Sequence, residues 1–590
     1  MRRLAVALMC VLTALGTGVP RIARSADTGS YKTEEVKLGD LPKVVESLTF
    51  SELGCHYAYF TKQHGKWVAV VDGQAGPGYD GFVLGVGVQN LPGTPTLIFS
   101  RDGKHAAYSQ RKGKKWLVVV DGQPGPEYDA VGFLTFSPDG ERMAYYANDE
   151  VRGGMVVVDG QEHASETNAQ FSPDGKYATY NVKTGGKGYT VLDGQTGPEY
   201  DGIVQGSCIF SRDGRRVAYA ATKGDKSVVV VDGHPGPEYD AIWRGSLVFS
   251  PDGGHVAYVA WQGGDGQSTV VLGEKSVVVV DGQPGPEYDF VPNLQFSPDG
   301  KRMAFVAHKG GRTFLLAGQP TYLTYLADYL KTKDEKSVVV VDGRPGPEYD
   351  YVSGVQFSAD GSRVAYVAHK GEKSLAFADG KQMAYVPQKG EKCLAVVDGQ
   401  PEPEYEGIQE PVILSPDGKR VAYAVQRSGK SAVVVDGQMG PEYDYVMDLQ
   451  FSPDGKHSAY QAQKGKKWFA VVDGQAGQEY DSLYPLRFSP DGKHVAYRAK
   501  KGKKWLVVMD GQPGSEYNWT GDVQFSPDGK HSAYQAGKYK EWFVVIDGQS
   551  GPQYDDVSKG PAFGLDGSIE YMVIKEKALF RVKHVPSPGP

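Results

Sequence analysis

Cysteine is scarce in this chain: four in 590 residues, at 10, 55, 208 and 393. Widely spaced and without metal-ligand intervals, they exclude a disulfide framework and a thiolate zinc site. They read as buried free thiols. Beyond the first residues, no apolar run is long enough to span a bilayer. Neither charge sign dominates: the net charge is −7, which gives no reason to expect nucleic acid. The GxSxG elbow, the phosphate-binding glycine-rich loop and HExxH are all missing. Hydrolases and nucleotide enzymes built on those motifs are therefore not indicated.

What the chain has in quantity is turn and strand material. It holds 77 Gly and 36 Pro beside 36 Tyr and 22 Phe, and 40% of it is hydrophobic. Many short strands joined by many turns account for these counts together. The first 25 residues read as a signal peptide. Arg2 and Arg3 form the basic region, Leu4 to Leu15 the apolar region, and Ala23 and Ser25 a small-residue cleavage site. Export to the periplasm or the exterior is expected, with no membrane span left after cleavage.

A unit of roughly 37 residues then repeats, LQFSPDGKRVAYxAxKGxKxVVVVDGQPGPEYDxV. Its marker falls at Phe50, Phe99, Phe136, Phe171, Phe210, Phe249, Phe296, Phe357, Leu414, Phe451, Phe488, Phe525 and Phe563. A degenerate copy around Phe377 makes fourteen. Each unit holds four strand signals: LQF, RVAYVA, the continuous VVVVD run, and a short YDxV segment after a DGQPGPE turn. Such a unit cannot bury its faces alone, and radial stacking buries both. The expected fold is all-β: tandem propellers of four-stranded antiparallel blades. Seven markers on each side of residue 350 suggest two seven-bladed rings, 31–350 and 351–585, with six plus seven as the next partition. The chain's offset start and finish suggest ring closure by strands from both ends.

The SPDG-then-AY pattern, as in Phe136-Ser137-Pro138-Asp139-Gly140 with Ala144-Tyr145, and in Phe488 to Gly492 with Ala496-Tyr497, resembles the WD-repeat-like units of TolB-type propellers. It is similar too to the N-terminal propellers of dipeptidyl-peptidase and tricorn-type proteases. The resemblance covers nearly the whole mature chain. It implies the fold, and a function anywhere among translocation scaffolds, protease gates and polysaccharide lyases.

Strand order puts the acidic SPDG and DGQPGPE turns on one face. The opposite face carries the hairpin tips and the connectors between blades. Three tips are lysine clusters: Lys112, Lys114 and Lys115; Lys464, Lys466 and Lys467; Lys501, Lys503 and Lys504. They could hold a polyanion, or be plain soluble tips that discourage edge pairing. The connectors differ most between copies, and Trp243, Arg244, Asn293, Asp448, Tyr484 and Trp519 are the candidate ligand-binding positions there. The acidic turns lack calcium-loop spacing, so no metal and no cofactor are expected. His105, His255, His457, His494 and His531 share one position with Arg142, Arg302 and Arg420, which reads as a surface polar slot; His308 and His369 are read the same way. The expected function is an exported binding or scaffold propeller engaging a protein or an acidic polysaccharide of the cell envelope, without nucleic acid. The alternative is a propeller lyase or hydrolase acting on acidic sugars in one channel. The segment Thr321 to Lys331 breaks the repeat, as a short helix or a damaged blade.

Overall fold

The computed structural model describes residues 31–51, 56–82, 97–165, 167–262, 275–310, 336–371 and 392–586, and the backbone of 374–378 and 382–386. The signal-peptide region, Cys10, Cys55 and Thr321 to Lys331 lie outside the described residues.

Blade 3 shows how one repeat folds. Ala130–Phe136, Met143–Asp149, Gly153–Val158 and Gln161–Ala164 pair in sequence order as an antiparallel meander. The second and third strands are buried on both faces, and the fourth is an exposed edge. The first strands of successive blades touch one another, so they converge on the axis and line the channel. Among the described residues thirteen such sheets occur and no helix.

The thirteen sheets form a single ring, which overturns the expectation of two seven-bladed rings. Blade 1 (46–79) packs directly on blade 13, where Tyr57, Tyr59, Val68 and Val70 share a core with Met572 and Leu579. The passage at residue 350 is an ordinary blade junction: Tyr349 and Val352 lie in one core with Val306, Tyr366 and Leu394. All thirteen markers end the first strand of a blade. Phe377, the supposed fourteenth, lies in a hairpin, Ser374–Ala378 with Gln382–Val386, placed between two paired strands of blade 8. With about 10 Å between packed sheets, thirteen blades set their mid-lines on a circle roughly 40 Å across.

The ends of the chain close the ring, as the offset suggested. Blade 13 takes three strands from the C-terminus, Asp556–Phe563, Ile569–Lys575 and Ala578–Pro586. Its outer strand is Tyr31–Asp40 from the other end.

Two strand boundaries differ from expectation. DGQPGPE is not one long turn. Asp and Gly alone make it, with Asp473 at φ 47° and Gly474 at φ 76°, and the following Gln475–Tyr480 runs back as the fourth strand. That is the two-residue hairpin for which Asp-Gly is suited. Proline in this strand is tolerated because the strand is an outer edge. The Tyr of the YDxV segment therefore ends the fourth strand, and the residues after its Asp, as Ser482–Leu483, open the next blade's inner strand.

Candidate functional site

Both polar slots of the repeat are structural clasps. On the acidic face, Ser489 donates its hydroxyl to Asp491 (2.6 Å) and takes the His494 N–H (3.0 Å). The hydrogen bond from Ser489 first, and then those from the Lys493 N–H and side chain, hold the Asp491 carboxyl down at about 2. His494 Nδ1 meets Asp510 at 2.7 Å, and Arg142 Nε meets Asp159 at 2.8 Å. His and Arg interchange because either satisfies the carboxylate of the Asp-Gly turn. Arg142 also donates to the Lys176 carbonyl of the next blade (2.7 Å). The reading of a polar slot holds for these residues but fails for His308 and His369, which are 2% and 4% exposed. They sit one residue before the lysine that ends the second strand, at a row the repeat fills with varied residues, between Phe290 and Ser337 and between Tyr351 and Cys393.

The Tyr of EYD packs edge-on to the Tyr of the next blade; Tyr480 and Tyr497 lie 6.4 Å apart at 75°. The Asp that follows it ties three elements. Asp481 takes Lys467 Nζ (2.8 Å) from its own blade and the Gly502 N–H (2.6 Å) from the next tip. Lys467 and the Gly502 N–H in turn hold its carboxyl below the usual range.

These clasps divide the tip lysines. Lys115 pairs with Asp129 (2.6 Å), Lys112 with Glu127 (2.8 Å) and Lys467 with Asp481. Lys504 reaches Asn518 Oδ1 (3.5 Å) and lies 5.7 Å from the Tyr539 ring. Among the described residues, Lys114, Lys464, Lys466, Lys501 and Lys503 have no ion-pair partner.

Single-ring closure brings the three clusters to one side. Lys464 to Lys467 top blade 10 (445–480), Lys501 to Lys504 top blade 11 (482–517), and Lys112 to Lys115 top blade 2 (81–128). Blades 12 and 13 and blade 1 lie between them, and their tips add Lys538, Lys540, Lys575, Lys577 and Lys66. Two separate rings would have parted Lys112 from Lys464. Trp67, Trp116, Trp468, Trp505 and Trp542 occupy the second position of the third strand in five of these six blades. In blades 5 to 9 that position holds Ser or Cys.

The candidate connector residues do not form top loops. They lie along the inner strands or next to them, where the strand breaks or bulges. Three belong to the basic arc. Tyr484 is 40% exposed, stands edge-on to Trp505 (5.2 Å), and has the Arg498 guanidinium 4.3 Å from its ring centre. Trp519 (39% exposed) stands against Trp542 at 5.4 Å. Asp448 is structural: its Oδ2 accepts the Leu486 N–H of the next blade (2.9 Å) and Gln461 Nε2 (3.2 Å). The other three lie elsewhere, on blades 6 (241–288) and 7 (294–349). Trp243 stacks on Trp261 (5.8 Å), Arg244 donates to the Gln205 carbonyl (2.9 Å), and Asn293 is exposed ahead of the first strand of blade 7.

Sequence reasoning missed Tyr445, Tyr539 and Arg498. Tyr445 (42% exposed) meets Trp468 edge-on at 6.3 Å, and Tyr539 is 80% exposed at the tip of blade 12. Aligning the copies on the third-strand Trp would have found them. Arg498, 16% exposed, bonds Asp522 (2.9 Å) and the Thr520 carbonyl (2.6 Å), joining blades 11 and 12. Among the described residues no group of three or more His, Cys, Asp or Glu is placed to hold a metal ion.

No family model matches the chain, and no curated protein matches it. Solved structures do. A eukaryotic initiation factor is 14% identical over 70% of this chain and 100% of its own, at TM-score 0.31. TolB from Acinetobacter baumannii is 13% identical over 50% and 78%, at 0.20. The β-propeller domain of the Trilobed protease from Pyrococcus furiosus is 13% identical over 59% and 94%, at 0.22. At such identities these are likenesses of fold, and membership of the TolB-type family does not follow from them.

Proposed function

We propose that this chain is an exported, non-enzymatic binding propeller of the cell envelope, which engages a protein partner or a polyanionic glycan through its basic arc. The observation that carries the reading is the gathering of unpaired lysines and exposed inner-strand aromatics on one side of the ring. Residues elsewhere in the repeat are committed to clasps between blades. The basic and apolar segments at the start of the sequence support export. The test is capture from native envelope extract. Changing Lys114, Lys464, Lys466, Lys501 and Lys503 together to Gln should abolish recovery of the partner at low salt. Undiminished recovery would rule the arc out.

A second reading, a hydrolase in the channel, has one observation in its favour. In blade 8 (351–405) the inner-strand Ser353 Oγ lies 3.2 Å from His369 Nε2, and His369 Nδ1 lies 3.2 Å from Cys393 Sγ. A hydroxyl beside an imidazole is the start of a nucleophile and base pair. Covalent labelling at Ser353 by a fluorophosphonate would favour this reading, and an unlabelled Ser353 would remove it.

A further inference from the structure

We infer that the ligand of the basic arc is an acidic polysaccharide, lying along blades 10 to 12 with sugar faces on the exposed aromatics and its anionic groups at the lysine tips. This rests on the binding reading above and names the ligand class.

The first observation is a repeated platform. In three consecutive blades an exposed aromatic of the inner strand stands edge-on to a half-buried Trp of the same blade: Tyr445 on Trp468, Tyr484 on Trp505, Trp519 on Trp542. The supporting Trp fixes each ring, so little freedom is lost when a ligand lies on it. Under Trp519 the sheet carries Gly537, where a Cβ would come within 3.4 Å of the Trp542 ring. The backbone there is bare so that the two indoles can close over it. Arg498 occupies one face of Tyr484. The exposed face of each ring is a flat apolar surface with polar surroundings, which suits the apolar face of a pyranose.

The second observation is the charge. Lys464 and Lys466 on blade 10, and Lys501 and Lys503 on blade 11, are lysines without an ion-pair partner at the hairpin tips of the same blades. Pairs of cations therefore recur once per blade, at about 10 Å. Acidic clasps stand beside the tips of blades 10 and 11, at Asp444 and Asp481, so these tips are not uniformly cationic. A chain that carries its anionic groups on rings with apolar faces fits both features. Uronate and sulfate sugars share that chemistry.

The experiment titrates the full-length mature protein with polygalacturonate, dextran sulfate, neutral dextran, poly-glutamate and single-stranded DNA, following tryptophan fluorescence and calorimetric heat. Binding to polygalacturonate or dextran sulfate is expected, the two arms telling carboxylate from sulfate, with neutral dextran much weaker. Trp519→Ala and Tyr539→Ala should each weaken the acidic polysaccharide by about tenfold. Tyr539 is almost fully exposed, so its variant keeps the test valid if Trp519→Ala disturbs folding. Poly-glutamate binding as tight as the sugars, or aromatic variants without effect, would show that charge alone is read and overturn the inference. Tighter binding of DNA would overturn it as well. If the lysine variant loses its envelope partner while no polysaccharide binds, the partner is a protein. This inference then falls while the binding reading stands.

Discussion

The Asp of each Asp-Gly turn does three things at once. Asp473 adopts φ 47°, takes His457 Nδ1 on one oxygen (2.7 Å) and the Ser458 N–H on the other (2.9 Å). Asp473→Ala loses the left-handed preference and both acceptors, and should cost about 1–3 kcal/mol. Asp473→Asn keeps the conformation and an acceptor oxygen, and should cost clearly less; midpoints in urea compare the two. Glycine in the SPDG turn is required for a different reason. Gly214 has φ 74°, and a Cβ there would overlap the Asp174 carboxylate of the preceding blade. Gly214→Ala should lower stability by more than about 1 kcal/mol, seen as faster amide exchange across blades 4 and 5. The sequence showed these positions because every copy repeats them, and the His and Arg interchange disclosed a shared partner. It could not show that His308 and His369 are buried, because burial at their row depends on what the neighbouring blade presents.

Among the described strands, Tyr31–Asp40 is the one that pairs with a strand from the other end of the chain. His584 sits beneath it, 2.9 Å from Thr33 Oγ1 and 2.9 Å from the Tyr571 hydroxyl. Burial pushes this imidazole down to about 4. Its folded value is below its unfolded one, so the stability it permits is whole above pH 6.5 and is lost as pH falls through 4. The shift corresponds to roughly 3 kcal/mol. Acid should therefore loosen the closing blade first, with proteolysis near residue 40 rising between pH 6.5 and 4. His584→Gln should flatten that rise. His56 works in the opposite sense. The hydrogen bond to Asp72 raises it, so its contribution is present below pH 6.5 and is lost as pH rises through its folded value. Removing residues 31–40 should leave twelve blades folded and blade 13 labile to protease. Strand identities were legible from the apolar runs. Boundaries at the fourth strand were not, because Gln-Pro-Gly-Pro looks like a turn until one knows that it is an outer edge.

For the whole molecule, the number of blades was nearly legible and the number of rings was not. Thirteen markers gave thirteen blades. The miscount came from Phe377, whose local pattern copies a blade but whose hairpin pairs with no blade strand. The partition failed because the junction at residue 350 has the same contacts as every other, and nothing in a repeat states how far it turns from its neighbour. Electron micrographs of the mature protein should show one hollow disc; paired discs would contradict the single ring. The candidate site was half legible. Lysine clusters and variable positions could be read directly, but their meeting on one side depends on closure.

That closure has a further consequence, for descent. Residues 450–460 and 524–534 are identical over eleven positions. Many junctions share the clasps and the edge-on tyrosines, and the two ends meet whatever lies between them. An in-frame copy inserted at any junction would find its partners ready on both sides and spread a slight change of angle over the whole circle. Circumference is then set by recombination between copies, and the aperture can widen or narrow while the chemistry of the blades stays fixed.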